Sequence, residues 1–210
     1  MKIHVGRRTK MPGERASEDV RREQILGAAF EVAAREGLGG LTIRAVAGEA
    51  GLSHGLVLFH FGSKERLVHA LLGWLIENTP PLRAPDPVGA VAGALDRLHL
   101  LLDREVARYA GEPRRTRLFY EYWALGGRDE AIRVRVGAEL ERYRAEFRDV
   151  ALGLLQAEPG AFAPETAERI AAVAVSWIHG CAVQAVIDPV RFQPEESLAS
   201  VREIIAPLAG

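Results

Sequence analysis

The sequence predicts an all-α protein in two parts, a small N-terminal bundle of three short helices followed by a larger helical domain. Apolar residues recur at three- and four-residue spacings in almost every segment, glycines and prolines break those segments at helical lengths, and no alternating β-branched run bounded by turns occurs. With 48% hydrophobic and 26% charged side chains in 210 residues, the chain can bury a core and has neither a disordered nor a collagen-like composition.

Residues 1–22 carry 7 basic and 3 acidic side chains without hydrophobic periodicity, so residues 1–17 read as a mobile basic arm. From Arg21 onward, Ile25, Ala28, Ala29, Val32 and Ala33 mark one face of a first helix, with Gly37 as its C-cap. Gly39 and Gly40 break the chain. Thr42 then caps a short second helix built on Ile43, Val46, Ala47 and Ala50, and Gly51 ends it. Ser53 caps a short third helix, interrupted at Phe61 and Gly62. Ser63 caps a longer fourth, with Arg66 where a capping box would have Glu, and Leu67, Val68, Ala70, Leu71, Leu72, Trp74 and Leu75 build it. Asn78 and the prolines at 80, 81, 85 and 87 stop this helix. Beyond them we expect helices over 86–110, 114–126, 129–157, 164–188 and 195–208, separated by Gly111 with Pro113, Gly126 with Gly127, Pro159 with Gly160, and Pro189. The chain thus divides into the arm 1–17, a head 18–65 and a larger domain 66–210. The helix from Lys64 to about Asn78 joins the last two.

A net charge of -1 gives no global reason to bind a polyanion, but the charge is unevenly placed. Residues 1–70 hold 11 Lys+Arg against 8 Asp+Glu, and residues 71–210 hold 16 against 20. Any attraction to nucleic acid is therefore local to the front of the chain. The lone Cys181 can form neither an intramolecular disulfide nor a cysteine-based zinc site. Lys2, Arg7, Arg8 and Lys10 are followed by no apolar stretch of the kind a secretory signal needs. Together these features point to the cytoplasm. Ile170–Ile187 is eighteen residues without a charge, the minimum for a membrane span. Five alanines together with Ser176, His179, Gly180 and Gln184 make it only modestly apolar, so we read a buried soluble helix and expect no membrane. With the 195–208 helix it would form a four-helix interface in a twofold dimer.

Residues 42–60 describe helix, glycine-containing turn, short helix, the arrangement that lays its second helix in a DNA major groove. Ala47 and Gly51 are small where the helices must approach, Leu52 plugs the turn, and Ser53 leaves helix N-terminal amides that suit a phosphate oxygen. The run from Gly40 to Leu67, GLTIRAVAGEAGLSHGLVLFHFGSKERL, resembles the DNA-binding segment of the TetR family of transcriptional regulators. Similar features are the threonine opening the second helix, the Ala-Gly-aliphatic-Ser turn, the Ser-x-Gly start of the third helix, its terminal His-Phe and the Lys opening the fourth. Residues 21–75 carry the resemblance; the rest matches in length and helical character.

The resemblance implies a homodimer that binds a roughly palindromic double-stranded DNA operator and answers to a small-molecule effector, without a cofactor. It places Thr42, Ser53, His60 and Lys64 against phosphates, and His54, Gly55, Leu56 and Phe59 on or near the base-facing side. Arg44, beside the start of the second helix, suits a phosphate as well, although an exposed arginine is usually just solvated. Lys64 at a helix N-terminus opposes the macrodipole, a cost a phosphate partner would explain. The family usually has Tyr where Leu58 stands, so one hydroxyl contact is missing. Arg7, Arg8 and Lys10 could compensate by reaching an adjacent groove or phosphate. Phe61 is expected in the core.

Gly51-x-Ser53-x-Gly55 also matches the nucleophile elbow of serine hydrolases, which requires a strand entering the serine. A helix precedes Gly51, and His54 points about 100° away from Ser53 on a helix, so an enzyme is not expected. In the larger domain, His99, Tyr109, Phe119, Tyr120, Trp123, Phe147, Trp177 and His179 could enclose an effector cavity, Trp123 and Trp177 foremost, although such stripes are more often core. Residues 177–189 loosely resemble the corresponding helix of choline-responsive-repressor-like members, too loosely to name choline. His179 and Cys181 share no helix face and form no metal pair. A helical interaction module without specific DNA binding is the alternative, and it predicts a stable dimer with no operator.

Overall fold

The computed structural model of the chain describes residues 12–80, 82, 94–157 and 166–205. Every element among them is a helix: α1 (Pro12–Gly40), α2 (Ile43–Ala50), α3 (His54–Phe61), α4 (Lys64–Glu77), α5 (Ala94–Gly111), α6 (Pro113–Gly126), α7 (Glu130–Ala157), α8 (Thr166–Ile187) and α9 (Pro194–Ile205). They form two compact units, Met1–Glu77 and Asn78–Gly210.

In the first unit α1 packs on α2 and α4, and α2 on α3. The stripe read from the sequence, Ile25, Ala28, Ala29, Val32 and Ala33, is buried, as are Leu67, Leu71, Leu72 and Leu75 of α4. That apolar face explains why the division falls after Glu77 rather than at the end of a head spanning 18–65: α4 supplies part of the first unit's core. One feature of α1 differs from expectation. Residues 12–17, assigned to a mobile arm, are helical and continuous with α1, while residues 1–11 with Arg7, Arg8 and Lys10 lie outside the described residues. At Gly37 the regular helix breaks as expected, with φ 75 and ψ 171, a backbone that suits a residue without Cβ, and a short helical piece follows to Gly40.

Polar ties fix the same unit. Gln24 Nε2 donates to the Ala50 carbonyl at 2.9 Å, Arg35 donates to Glu49 at 3.2 Å, and Trp74 Nε1 donates to Glu23 Oε1 at 2.6 Å. The turn between α2 and α3 is closed by Gly51 in the left-handed region, φ 65 and ψ 32, and by the Leu52 amide donating to the Ala47 carbonyl at 2.8 Å.

In the second unit α7 packs on α5, α6 and α8, and α9 on α5 and α8. Leu98, Leu101, Leu102, Phe147, Val150, Ala171, Val175 and Ile178 form its central core. Helix α8 is long and apolar enough to cross a membrane by length and composition, yet Ala167, Ala171, Val175, Ile178, Cys181 and Ala182 bury one face of it within this unit. The sequence reading had it buried on several sides. Its other face, including Val173 and Ile187, stands exposed on the single chain.

Candidate functional site

Helix α3 is eight residues long, and its inward face consists of Val57 and Phe61. Phe61 is 4% exposed, clamped by the Arg22 guanidinium 4.6 Å over its ring, while Arg22 also donates to the His60 carbonyl at 3.0 Å. These contacts fix α3 against α1 through its C-terminal turn and leave Ser53, His54, Gly55 and Phe59 exposed, with Leu56 and His60 half-buried. Phe59 is 77% exposed, its ring meeting that of His60 edge-on at 5.4 Å.

The capping hydroxyls occupy defined positions. Thr42 Oγ1 accepts from the Ala45 amide at 3.1 Å, and Ser53 Oγ accepts from the Leu56 amide at 3.2 Å. Each hydroxyl is exposed and keeps its proton to donate. Arg44 is exposed on α2, near the Thr42 cap. Lys64 has an intramolecular partner that sequence spacing could not reveal: its Nζ donates to the Gly39 carbonyl at 3.2 Å, just past the Gly37 kink. Part of the cost of a cation at the start of α4 is offset there, and two of its three N–H donors are left over. The hydrolase match fails on geometry, because Ser53 is the N-cap between two helices and its oxygen is engaged by the backbone.

A second cluster lies within the Asn78–Gly210 unit. The His179 ring is 4.6 Å from Trp123, 5.7 Å from Tyr143 and 6.2 Å from Tyr109, centroid to centroid, and Tyr120 lies 5.5 Å from Trp123. The Tyr120 hydroxyl donates to the His179 carbonyl at 2.9 Å. Burial pulls the His179 imidazole down to about 4, with the Val175 carbonyl opposing the shift only in part. Burial likewise raises the phenols of Tyr109, Tyr120 and Tyr143 above their ordinary value. Beneath the rings, Glu105 is 4% exposed, pairs with Arg108 at 2.5 Å and accepts from the Tyr143 hydroxyl. Burial would lower Arg108, but the hydrogen bonds and charge of Glu105 outweigh it and hold the guanidinium charged.

Of the aromatic candidates, the structure therefore gathers Tyr109, Tyr120, Trp123 and His179. Phe147 is fully buried in the central core, where its ring lies 5.8 Å from that of Tyr143, and Trp177 packs against the same core. Phe119 is half-buried on α6, and His99 on α5 has a buried Nε2 that meets no hydrogen-bond partner among the described residues. Sequence reasoning missed Tyr143, Glu105 and Arg108. Glu105 had a usable signal: it continues the Leu98, Leu101, Leu102 spacing, which puts a carboxylate on the core face of α5. The space bounded by Val106, Tyr109, Ile178, Cys181 and Phe192 is too narrow to hold a water molecule. Among the described residues no group of three or more His, Cys, Asp or Glu side chains is gathered as a metal site.

Comparison with known proteins agrees with this division. Residues 25–71 match the family model for bacterial regulatory proteins of the tetR family, and residues 94–210 match the model for the C-terminal part of BetI-type transcriptional repressors. The chain is 29% identical over 206 residues to an HTH-type transcriptional regulator in the dhlA 5' region of Xanthobacter autotrophicus, covering 92% of this chain and 91% of that protein. Its fold resembles a TetR transcription regulator from Haloarcula marismortui, with TM-score 0.69 and 24% identity over 91% of this chain and 97% of the other. It also resembles a Saccharomonospora viridis protein solved in complex with choline, with TM-score 0.71 and 17% identity over 90% and 96%. A tetR-family head on residues 25–71, followed by a BetI-type half that spans most of the remaining chain, makes this protein a member of the TetR family of transcriptional regulators.

Proposed function

We propose that the protein is a homodimeric, cytoplasmic, ligand-responsive repressor, without enzymatic activity, that binds a roughly palindromic operator through α2 and α3 of each subunit. The observation that carries the reading is the outer face of α3, where Ser53, His54, Gly55 and Phe59 are exposed while Val57 and Phe61 anchor the helix. In this reading Thr42, Arg44, Ser53, His60 and Lys64 hold phosphates, and His54, Gly55, Leu56 and Phe59 face base edges.

One short helix reads too few base pairs, so two copies are required. Support for a dimer comes from α8, whose outward residues Val173, Ser176, Gly180, Val183 and Ile187 follow three- and four-residue spacing and are exposed on the single chain. Small residues in that stripe allow close helix approach, and a second α8 related by twofold symmetry would cover it.

The effector site in this reading is the ring cluster around His179, with Tyr109, Tyr120, Trp123 and Tyr143, opening by side-chain rearrangement because the rings are closed together. A ligand that fits better when the two heads are splayed lowers operator affinity by its differential affinity, about 1–3 kcal/mol. Helix α4 is the last element of the head before the chain enters the second unit, and that difference reaches the head through it.

Selection of DNA from a random pool by the full chain tests the function. We expect one recurring, inverted-repeat sequence, bound with an affinity that falls steeply with salt. Equal binding of selected and random DNA would contradict the reading and favour a helical interaction module. A release screen on the selected DNA, starting with choline and stearoyl-CoA, then tests the effector half; both compounds occur bound in structural neighbours.

A further inference from the structure

We propose that Phe59 and Gly55 together form an apolar reading surface for the C5-methyl group of a thymine in the major groove. The inference rests on the DNA-binding reading above and adds a base and an atom to it.

The two residues lie one turn apart on the same face of α3. Helical side chains lean toward the N-terminus, so the surface preceding Phe59 is that of Gly55, and it is bare. Packing among the described residues does not require this glycine: a Cβ added at Gly55 would meet none of them within 4 Å, and its φ is not positive. Glycine in a helix is less stable than alanine, so the molecule carries a local cost with no internal return. Close approach of another surface accounts for it. Phe59, the adjoining group, is a wholly apolar ring that is 77% exposed and meets His60 edge-on. Neither position 58 nor 59 offers a hydroxyl, so this part of the face cannot donate to phosphate or to a base acceptor. The major-groove edge of unmodified DNA presents one apolar feature, the thymine methyl, and a phenyl ring is among the groups that meet it. The neighbours Ser53 and His54 supply polar contacts, and Phe59 with Gly55 supplies the apolar one.

The test uses the full chain and the sequence it selects from a random pool. Each thymine of one half-site, and its symmetry mate, is replaced in turn by deoxyuridine, which deletes only the methyl. At one position per half-site the affinity should fall about fourfold, or about fifteenfold with both replaced, the effect of one lost methyl contact each. Phe59→Ala should lose the same affinity for the thymine-containing site and become indifferent to deoxyuridine there, while Phe59→Tyr, which keeps the ring, should retain the discrimination. Gly55→Ala should melt no lower than the parent yet bind the selected site more weakly. The proposal is overturned if no thymine shows methyl dependence, if Phe59→Ala still discriminates, or if Gly55→Ala binds unchanged. Failure to select any sequence would instead overturn the DNA-binding reading, and this proposal with it.

Discussion

One hydroxyl and one imidazole are placed to serve the fold and, in the proposed function, a working surface as well. Ser53 Oγ caps α3, so Ser53→Ala should cost about 1 kcal/mol and lower the melting temperature by about 2–4 °C, whereas Ser53→Gly should cost only a few tenths. Both should weaken binding to every DNA sequence alike if the hydroxyl also holds a phosphate. Thermal melts beside binding curves for the two variants separate the roles; an unchanged affinity in both would remove Ser53 from the interface. His179 gives a pH prediction. Its imidazole is pulled from 6.5 down to about 4 by burial, so between those values the unfolded chain binds more protons than the folded one. Its contribution is complete above pH 6.5 and is lost as the pH falls toward 4, up to about 3 kcal/mol. Between pH 7.5 and 4.5 the melting temperature of the parent should fall more steeply with acid than that of His179→Gln, whatever their difference at neutral pH. Parallel curves would show that the ring is not held neutral by the fold.

At the scale of elements, the α2-turn-α3 unit is set by local chemistry. Gly51 holds φ 65, so Gly51→Ala should cost about 1 kcal/mol and misalign α3, reducing DNA binding by more than the stability loss explains. Circular dichroism melts and binding to the selected operator would measure both, and full activity at unchanged stability would refute the role given to the turn. Such features were legible in the sequence because they depend on neighbours in the chain: the Thr42, Ser53 and Ser63 caps, the Gly51 and Gly62 breaks and the apolar stripe of α1 were all visible there. Features that depend on distant helices were not. The Lys64 to Gly39 hydrogen bond joins residues on either side of α2 and α3, and Tyr143 reaches Glu105 from another helix. Phe147 and Tyr109 look alike as helical aromatics; only tertiary packing makes one a core plug and the other part of the His179 cluster. The one-sided burial of α8 was hidden for a related reason, since an apolar helix does not reveal whether its second face meets its own chain or a copy.

For the whole molecule, the two proposed working surfaces are α3 for DNA and the outer stripe of α8 for a second subunit. Val173→Glu combined with Ile187→Glu should place like charges within a twofold contact while leaving the buried face of α8 intact. Sedimentation should then report a folded monomer, and affinity for the full operator should fall at least tenfold because two heads no longer bind as one body. A variant that remains dimeric would move the interface elsewhere. The claim joining both surfaces is that two copies of α3 meet one face of the duplex, at centres separated by a whole number of helical turns. Inserting about five base pairs between the halves of the selected operator, half of a 10–10.5 base-pair turn, rotates one half-site to the far side of the DNA. Affinity should fall at least tenfold and largely recover when about ten base pairs are inserted; equal affinity for all three spacings would show that the two heads do not bind as one body.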